Sequence, residues 1–386
     1  MPTRTITNRT QAEDLIRGLT FMGTGGGGRP DAGRELLNIH LDKGESLGWT
    51  DLSELPDDAW ACCAFTMGST APRPADFKEG QAWPEYGTRT PGSALPLAVR
   101  ELECYTGKKI SVVFALELGA SNTPGPMHAA AELGLKLADG EGCGRAVPEA
   151  SQILPALAGV PMWPASICDE WGNVLILKSA TSLDVAEALG KGISIVTKVP
   201  DAYAFCGMAC YAVPVGEMKK MVIPGSITRA FELGRAIREA REAGKDPVEV
   251  AATLTGGWVL FRGVVSKREW QNTKGYQIGT TEITGTGQNS GHSLRIWFKN
   301  EHHVSWLDGR PFVTSPDLLA VVQYPSGEPI TNTYLAEGDS VAVVGMKTAA
   351  AYRSPKGIAV LGPGHFGFDL DYRPIEDLVT GAQLTA

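Results

Sequence analysis

Eleven residues, Asp139-Gly-Glu-Gly-Cys-Gly-Arg-Ala-Val-Pro-Glu149, gather three carboxylates, an arginine, a thiol and three glycines. Carboxylates crowded at one site cannot all ionise freely, so one pKa rises and that group can act as an acid or base near neutral pH. Asp139, Glu141 and Glu149 are therefore catalytic candidates, together with Glu117 from the preceding polar segment Glu117-Leu-Gly-Ala-Ser-Asn122. Arg145 can clamp a substrate carboxylate in bidentate fashion or hold the cluster together. Asn122 can donate to a developing oxyanion. The competing reading is structural: Asp139 and Glu141 cap a helix, and Arg145 pairs with them.

A second signal is Gly23-Thr24-Gly25-Gly26-Gly27-Gly28. It follows a helix-like segment and no Lys-Ser/Thr ends it, so it is neither a dinucleotide fingerprint nor a P-loop. Successive glycines still let the backbone approach a ligand or form an anion-binding nest, and Thr24, Gly25 and Gly26 are assigned to substrate binding on that ground. Cys143, between two glycines, is a pocket-lining residue or a nucleophile. The other cysteines (Cys62, Cys63, Cys104, Cys168, Cys206, Cys210) form no CxxC pair. There is no HExxH. Glu301-His302-His303 could ligate a metal, but adjacent histidines on a strand point to opposite faces. His365, in a glycine-rich setting, is expected to reach back to the pocket. No cofactor is predicted from these residues, and a divalent metal, zinc or similar, is compatible with them.

Elements must bring these groups together. A capping-box pattern at Thr10-x-x-Glu13 opens a helix carrying Leu15, Ile16 and Leu19 that stops at Gly23; Pro30 and Asp31 begin another. From Trp60 onward, strands (61–65, 110–116, 135–138, 161–167, 173–178, 193–199) alternate with helices (95–105, 126–133, 148–157, 184–189). That alternation predicts βαβ units, an α/β fold and a largely parallel sheet. Ligands of such sheets bind beyond the carboxyl ends of the strands. Three ends are polar, which predicts one pocket holding Glu117, Asn122, Asp139, Glu141, Arg145 and Glu149, edged by Ser69 and Thr70. A helix capped by Ser226 and another from Pro247 to Leu254 precede a nearly all-β stretch, 257–344, with barrel- or sandwich-like spacing. The expected domains are 1–167, α/β with the active site, and 168–386, with helices near 226–254 and a β-rich core near 257–352.

Composition narrows the partners. The 386 residues suggest two domains. A net charge of −8 with scattered basic residues argues against nucleic acid and anionic membrane. The N-terminus lacks a basic start followed by an apolar run, and no stretch approaches the ~20 apolar residues of a membrane span. A cytoplasmic location with reduced thiols is expected. The sequence is compatible with a homo-oligomer.

The chain resembles the family named after S-methyl-thiohydantoin desulfurase, formerly a domain-of-unknown-function family encoded beside hydantoinase and oxoprolinase genes. The resemblance rests on Gly23-Thr-Gly-Gly-Gly-Gly28, Glu117-x-Gly119-x-x-Asn122 and Asp139-x-Glu141-Gly-x-Gly-Arg-Ala-x-Pro-Glu149. It extends through Gly225-Ser-Ile-Thr-Arg-Ala230, Asn300-Glu301, Ser315-Pro-Asp317 and Gly362-Pro-x-x-Phe-Gly367. It departs where Glu141 replaces a usual Asp, Cys143 a Met and Ala120 a Gly. The resemblance implies an N-terminal α/β and a C-terminal β-rich domain. It also implies hydrolysis at a carbon of a five-membered cyclic urea or thiourea: water adds, a sulfur group leaves and a hydantoin remains. Two alternatives stand beside it, a cyclic-amide hydrolase and a non-catalytic partner of a hydantoinase-type enzyme.

Overall fold

The computed structural model describes residues 3–68, 88–196 and 205–381. A short antiparallel pair, β1 (Arg4–Ile6) and β2 (Leu47–Trp49), frames α1 (Arg9–Met22) and α2 (Pro30–Leu41). The α1 cap is Asn8, not Thr10: its side chain accepts from Gln11 N, and the Gln11 side chain accepts in return from Thr7 N. Helix α1 ends at Gly23, and α2 starts on Pro30, whose fixed φ suits a first turn.

Strands β3 (Trp60–Gly68), β4 (Ile110–Ala115) and β5 (Lys136–Glu141) run parallel, with α3 (Ala94–Thr106) and α4 (Pro124–Leu133) among their connections. The expected helix over 148–157 is broken. A 3-10 turn at 150–152 gives way to an extended Ile153 and then the single-turn α5 (Leu154–Leu157), because Pro155 lacks the N–H that a continuous helix would need from it. Next come β6 (Ala165–Cys168) and β7 (Val174–Leu177). Helix α6 (Leu183–Val196) takes in the first half of the stretch expected as a strand over 193–199; residues 197–199 lie outside the described region. The segment holding Cys206 and Cys210 is a full strand, β8 (Phe205–Pro214), followed by α7 (Val215–Met218) and β9 (Ile223–Pro224).

These strands form one mixed sheet in the order β7-β6-β8-β3-β4-β5-β9, with β8 and β9 antiparallel to their neighbours β3 and β5. The expected boundary at 167 falls inside β6; the sheet runs past it because β8 returns to pair with β3. Apolar residues alternate across the strands as the pleat demands. Cys62 and Ala64 pack with α1, α3 and α4, whereas Ala61, Cys63 and Phe65 pack with Met162, Met208 and Tyr352 on the other face.

Helix α8 (Ser226–Glu242) is capped by Gly225, with Ser226 as its first helical residue, and α9 (Pro247–Thr255) follows. The C-terminal sheet contains β10 (Trp258–Thr273), β11 (Tyr276–Gly285), β12 (Ser293–Lys299), β13 (Glu301–Leu307), β14 (Arg310–Thr314), β15 (Leu318–Gln323) and β16 (Ser340–Met346). All its pairs are antiparallel, and the order β14-β13-β12-β11-β10-β16-β15 makes an open half-barrel. Its inner core gathers Phe261, Ile283, Ile296 and Val343, and its other face packs Val322 and Val344 on Phe21, Leu233 and Ile237. Helices α1 and α8 thus serve both sheets. Helices α10 (Pro355–Leu361) and α11 (Ile375–Gly381) close the chain over both domains. Among the described residues no helix is long and apolar enough to cross a membrane.

Candidate active site

The carboxyl ends of β3 and β4 and the loop that follows β5 face one cavity of about 520 Å³. Phe65–Gly68, Leu116–Glu117, Ser121–Asn122 and Val147–Ala150 wall it from the α/β side. The β12–β13 turn closes it with Asn300 and Glu301. That turn is tight: Asn300 has a φ of 58°, and its side chain accepts from Gln277 N at 2.9 Å. The positive φ swings Glu301 inward at the first position of β13.

Two buried carboxylates meet here. Glu117 accepts from Val147 N at 2.7 Å on one oxygen and from the Asn122 amide on the other. Glu301 accepts from the Gly27 N–H, and its Oε2 is buried with no partner. Burial, and then the charge of Glu301, holds the Glu117 carboxyl well above the usual range. Burial likewise raises Glu301, against the pull of Arg145. Because both pKa values lie above those of free carboxyls, the folded pair binds more protons than the unfolded one, and stability falls as pH climbs through that window. At neutral pH the pair retains a proton, which is the state a combined general acid and base needs.

The glycine run supports this pair. A Cβ on Gly26 would sit 1.8 Å from a Glu301 oxygen, and one on Gly27, whose φ is 77°, would sit 2.5 Å from Gly119 Cα. Thr24 O accepts from His302 N at 2.9 Å and Gly25 O from Asn332 N at 2.7 Å, while Gly27 O accepts from Ser121 N at 3.1 Å. The run therefore fastens the β-rich domain to the β4–α4 loop. The cavity touches Gly27 and Gly28, not Thr24, Gly25 or Gly26.

The eleven-residue loop divides. Glu149 lines the cavity, but His365 Nε2 lies 2.7 Å away and Lys299 pairs with its other oxygen. Burial would raise this carboxyl, yet the two partners pull it down to about 2, so it is a fixed anion and not the expected acid or base. The depressed value predicts a stability contribution present above the ordinary carboxylate value of 4.5 and lost as pH falls through about 2. Melting curves of Glu149→Gln should accordingly fall below wild type at pH 7 and converge with it toward acid; a gap independent of pH would contradict the pairing.

Asp139 is placed away from the cavity. Its Oδ1 accepts from Ile227 N and Thr228 N at 3.1 Å, and Oδ2 from the Thr228 hydroxyl at 2.6 Å, so it caps α8 across the sheet. Asp139→Ala should cost about 0.5–2 kcal/mol of stability, the range for a lost cap, with kcat preserved. Urea denaturation beside steady-state kinetics checks this, and a large kcat loss would restore Asp139 to the chemistry.

Glu141 is wholly buried and accepts from Cys143 N at 2.7 Å and Gly144 N, folding the turn beneath it; burial pushes its carboxyl up to about 7 despite those bonds. Cys143 is buried beside Tyr352, and burial raises its thiol, so it is kept protonated and away from the cavity. Arg145, 1% exposed, spends its guanidinium on Ala146 O, Pro316 O, Asp317 O, His302 O and the Thr24 hydroxyl. It is not available as a substrate clamp. Ser69 and Thr70 lie outside the described residues.

Several wall residues escaped sequence reading. Lys191 stands one turn from Glu187 on α6, 2.6 Å from its Oε1, and lies over the Tyr276 ring at 3.3 Å. Arg89 pairs with Glu170 at 2.6 Å. The Glu187–Lys191 spacing is an i,i+4 signal that was readable; the Arg89 pair, distant in sequence, left none. His302 and His303 do not form a metal site: the first bonds Leu319 O and Asn332 Oδ1, and the second faces Ser315 and stacks on Phe366. Among the described residues, the trio of His, Cys, Asp or Glu atoms close enough to hold an ion is His40, His128 and Glu132, not Glu117 and Glu301 with a third ligand.

Comparison with known proteins agrees with this architecture. Residues 10–179 match the family description S-Me-THD-like, N-terminal domain, and residues 185–375 match S-Me-THD-like, C-terminal domain. A crystal structure of a structural-genomics protein from Chromobacterium violaceum is similar over 97% of this chain and 100% of that one, with a TM-score of 0.75 and 21% sequence identity. At that identity the likeness is one of fold. No curated protein matches the chain.

Proposed function

The chain belongs to the S-Me-THD-like family, and from that premise and the cavity's chemistry we propose a hydrolytic desulfurase acting on a thiohydantoin or S-methyl-thiohydantoin-type ring. The observation that carries this reading is the pair of buried carboxyls, Glu117 and Glu301, both held above the usual carboxylate range, with one oxygen, Glu301 Oε2, unpartnered. A volume of about 520 Å³ falls within the range of small-molecule sites and accommodates a five-membered ring with a side chain.

The ionised member of the pair takes a proton from water as its oxygen adds to the ring carbon bearing sulfur. A tetrahedral intermediate forms. The intermediate's hydroxyl proton passes to the ring nitrogen while the protonated member gives its proton to the departing sulfur; the C–S bond breaks and the carbon becomes a carbonyl, leaving a hydantoin and a thiol. Each member then holds what the other held, so the pair is ready for a second turnover without an outside acid. Asn122 is held by Glu117, so it positions that carboxylate more directly than it donates to the intermediate. With Arg145 committed to the protein, an acidic substrate side chain would meet Lys191 or Arg89 on the cavity wall.

The test is a thiol-release assay of the purified chain against hydantoins, thiohydantoins and S-methyl derivatives. Thiol release with an intact ring supports the desulfurase. Ring opening without thiol identifies a cyclic-amide hydrolase. No turnover, with stable co-purification of a hydantoinase-type protein, identifies a non-catalytic partner.

A further inference from the structure

At the cavity wall, where His128 is a lining residue, α2 and α4 bring His40, His128 and Glu132 together. His128 and Glu132 stand at i,i+4 on α4, so they share a face, and His40 comes from the last turn of α2. His40 Nε2 lies 2.9 Å from His128 Nδ1 and 3.9 Å from a Glu132 oxygen. We propose that these three side chains form a binding site for a divalent transition ion of the zinc class, distinct from the carboxylate pair.

Both imidazoles are already oriented as metal ligands are. His40 turns its other nitrogen, Nδ1, to the Glu45 carboxylate at 2.8 Å, and His128 turns Nε2 to Gly92 O at 3.0 Å. Such outer partners fix the tautomer, leaving the inward nitrogen as the lone-pair donor. The 2.9 Å contact between His40 Nε2 and His128 Nδ1 is buried, His40 being 2% exposed, and an ion seated between these two nitrogens would leave both outer hydrogen bonds intact.

The geometry needs little change. Tetrahedral ligands at ~2.0–2.1 Å from zinc lie ~3.3 Å apart. The two nitrogens would separate slightly and Glu132 would close in. Lys43, whose ammonium is 3.6 Å from Glu132, is half-exposed and free to swing away. Glu132 is 38% exposed, which leaves the fourth position open to water. The donor set, two imidazoles and one carboxylate, suits zinc, cobalt or nickel rather than magnesium or calcium. Since α2 begins next to Gly28 and α4 next to Asn122, the ion would tie together the two helices whose starts edge the cavity.

Chelator-stripped protein titrated with Co²⁺ tests the site, because cobalt reports tetrahedral coordination by its visible spectrum. One equivalent per chain should bind, give that spectrum, raise the melting temperature and be displaced by Zn²⁺. Glu132→Gln, at an exposed position that leaves the fold intact, should weaken uptake by at least ~10-fold, and His128→Gln should abolish the spectrum. Glu301→Gln should leave uptake unchanged. Absence of saturable uptake by the wild type would overturn the proposal, as would unchanged uptake and spectrum in Glu132→Gln and His128→Gln, and so would loss of uptake in Glu301→Gln alone.

Discussion

Glu301→Gln is expected to lower kcat for thiol release by about 10²–10⁴-fold, the contribution of a positioned acid or base, with the fold unchanged. Glutamine keeps the size of Glu301 over Gly26 and an oxygen for the Gly27 N–H, but it can neither hold nor give a proton. Glu117→Gln should lose as much activity and some stability besides. Both Glu117 oxygens accept, from Val147 N and from Asn122, so an amide turns one donor against another. The pH dependence separates the roles further. The raised carboxyls favour the protonated form near neutral pH and lose it as pH rises, so wild-type kcat should fall on the alkaline side. Glu301→Gln should flatten that limb in whatever activity survives. Steady-state kinetics with circular dichroism on each variant decides the matter, and a Glu301→Gln enzyme with near-wild-type kcat would remove the pair from the chemistry.

The periodic segments were legible because their patterns are local. Alternating apolar runs gave β3, β4 and the C-terminal strands, and Pro30 and Gly23 marked helix ends. What was not legible depended on the far end of each contact. Asp139 reads as a catalytic loop acid until the chain of α8, some ninety positions later, lays three donors on it. Glu149 reads as a titrating group until Lys299 and His365 arrive from the other domain. Glu301 appeared as the start of a histidine pair and within the shared Asn300-Glu301 motif without a role, since nothing in those two residues announces that a tight turn aims Glu301 at Glu117. The cavity's position beyond the strand ends followed from topology, whereas its occupants followed from which carboxylates the fold left without a cation.

Arg145 supplies the largest structural contrast between a loop read alone and the folded chain. A clamp would reach into the cavity; this guanidinium instead joins its own loop, the glycine run, β13 and the segment 316–317. Arg145→Ala would leave several buried carbonyls and the Thr24 hydroxyl without their donor, and would open a void where a wholly buried side chain stood. Each orphaned polar group costs about 1–3 kcal/mol, and breaking a buried charged network typically costs about 3–5 kcal/mol. Against a total stability of about 5–15 kcal/mol for a domain, that is a large share. Arg145→Lys should be milder yet still destabilising, because an ammonium cannot span acceptors on four segments as the planar fork does. Urea denaturation gives the stability change, and KM for a carboxylate-bearing ring and its uncharged analogue gives the binding change. The structural role predicts lower stability in both variants with the ratio of the two KM values unaltered in Arg145→Lys. Full stability together with a KM increase confined to the carboxylated ring would return Arg145 to the substrate.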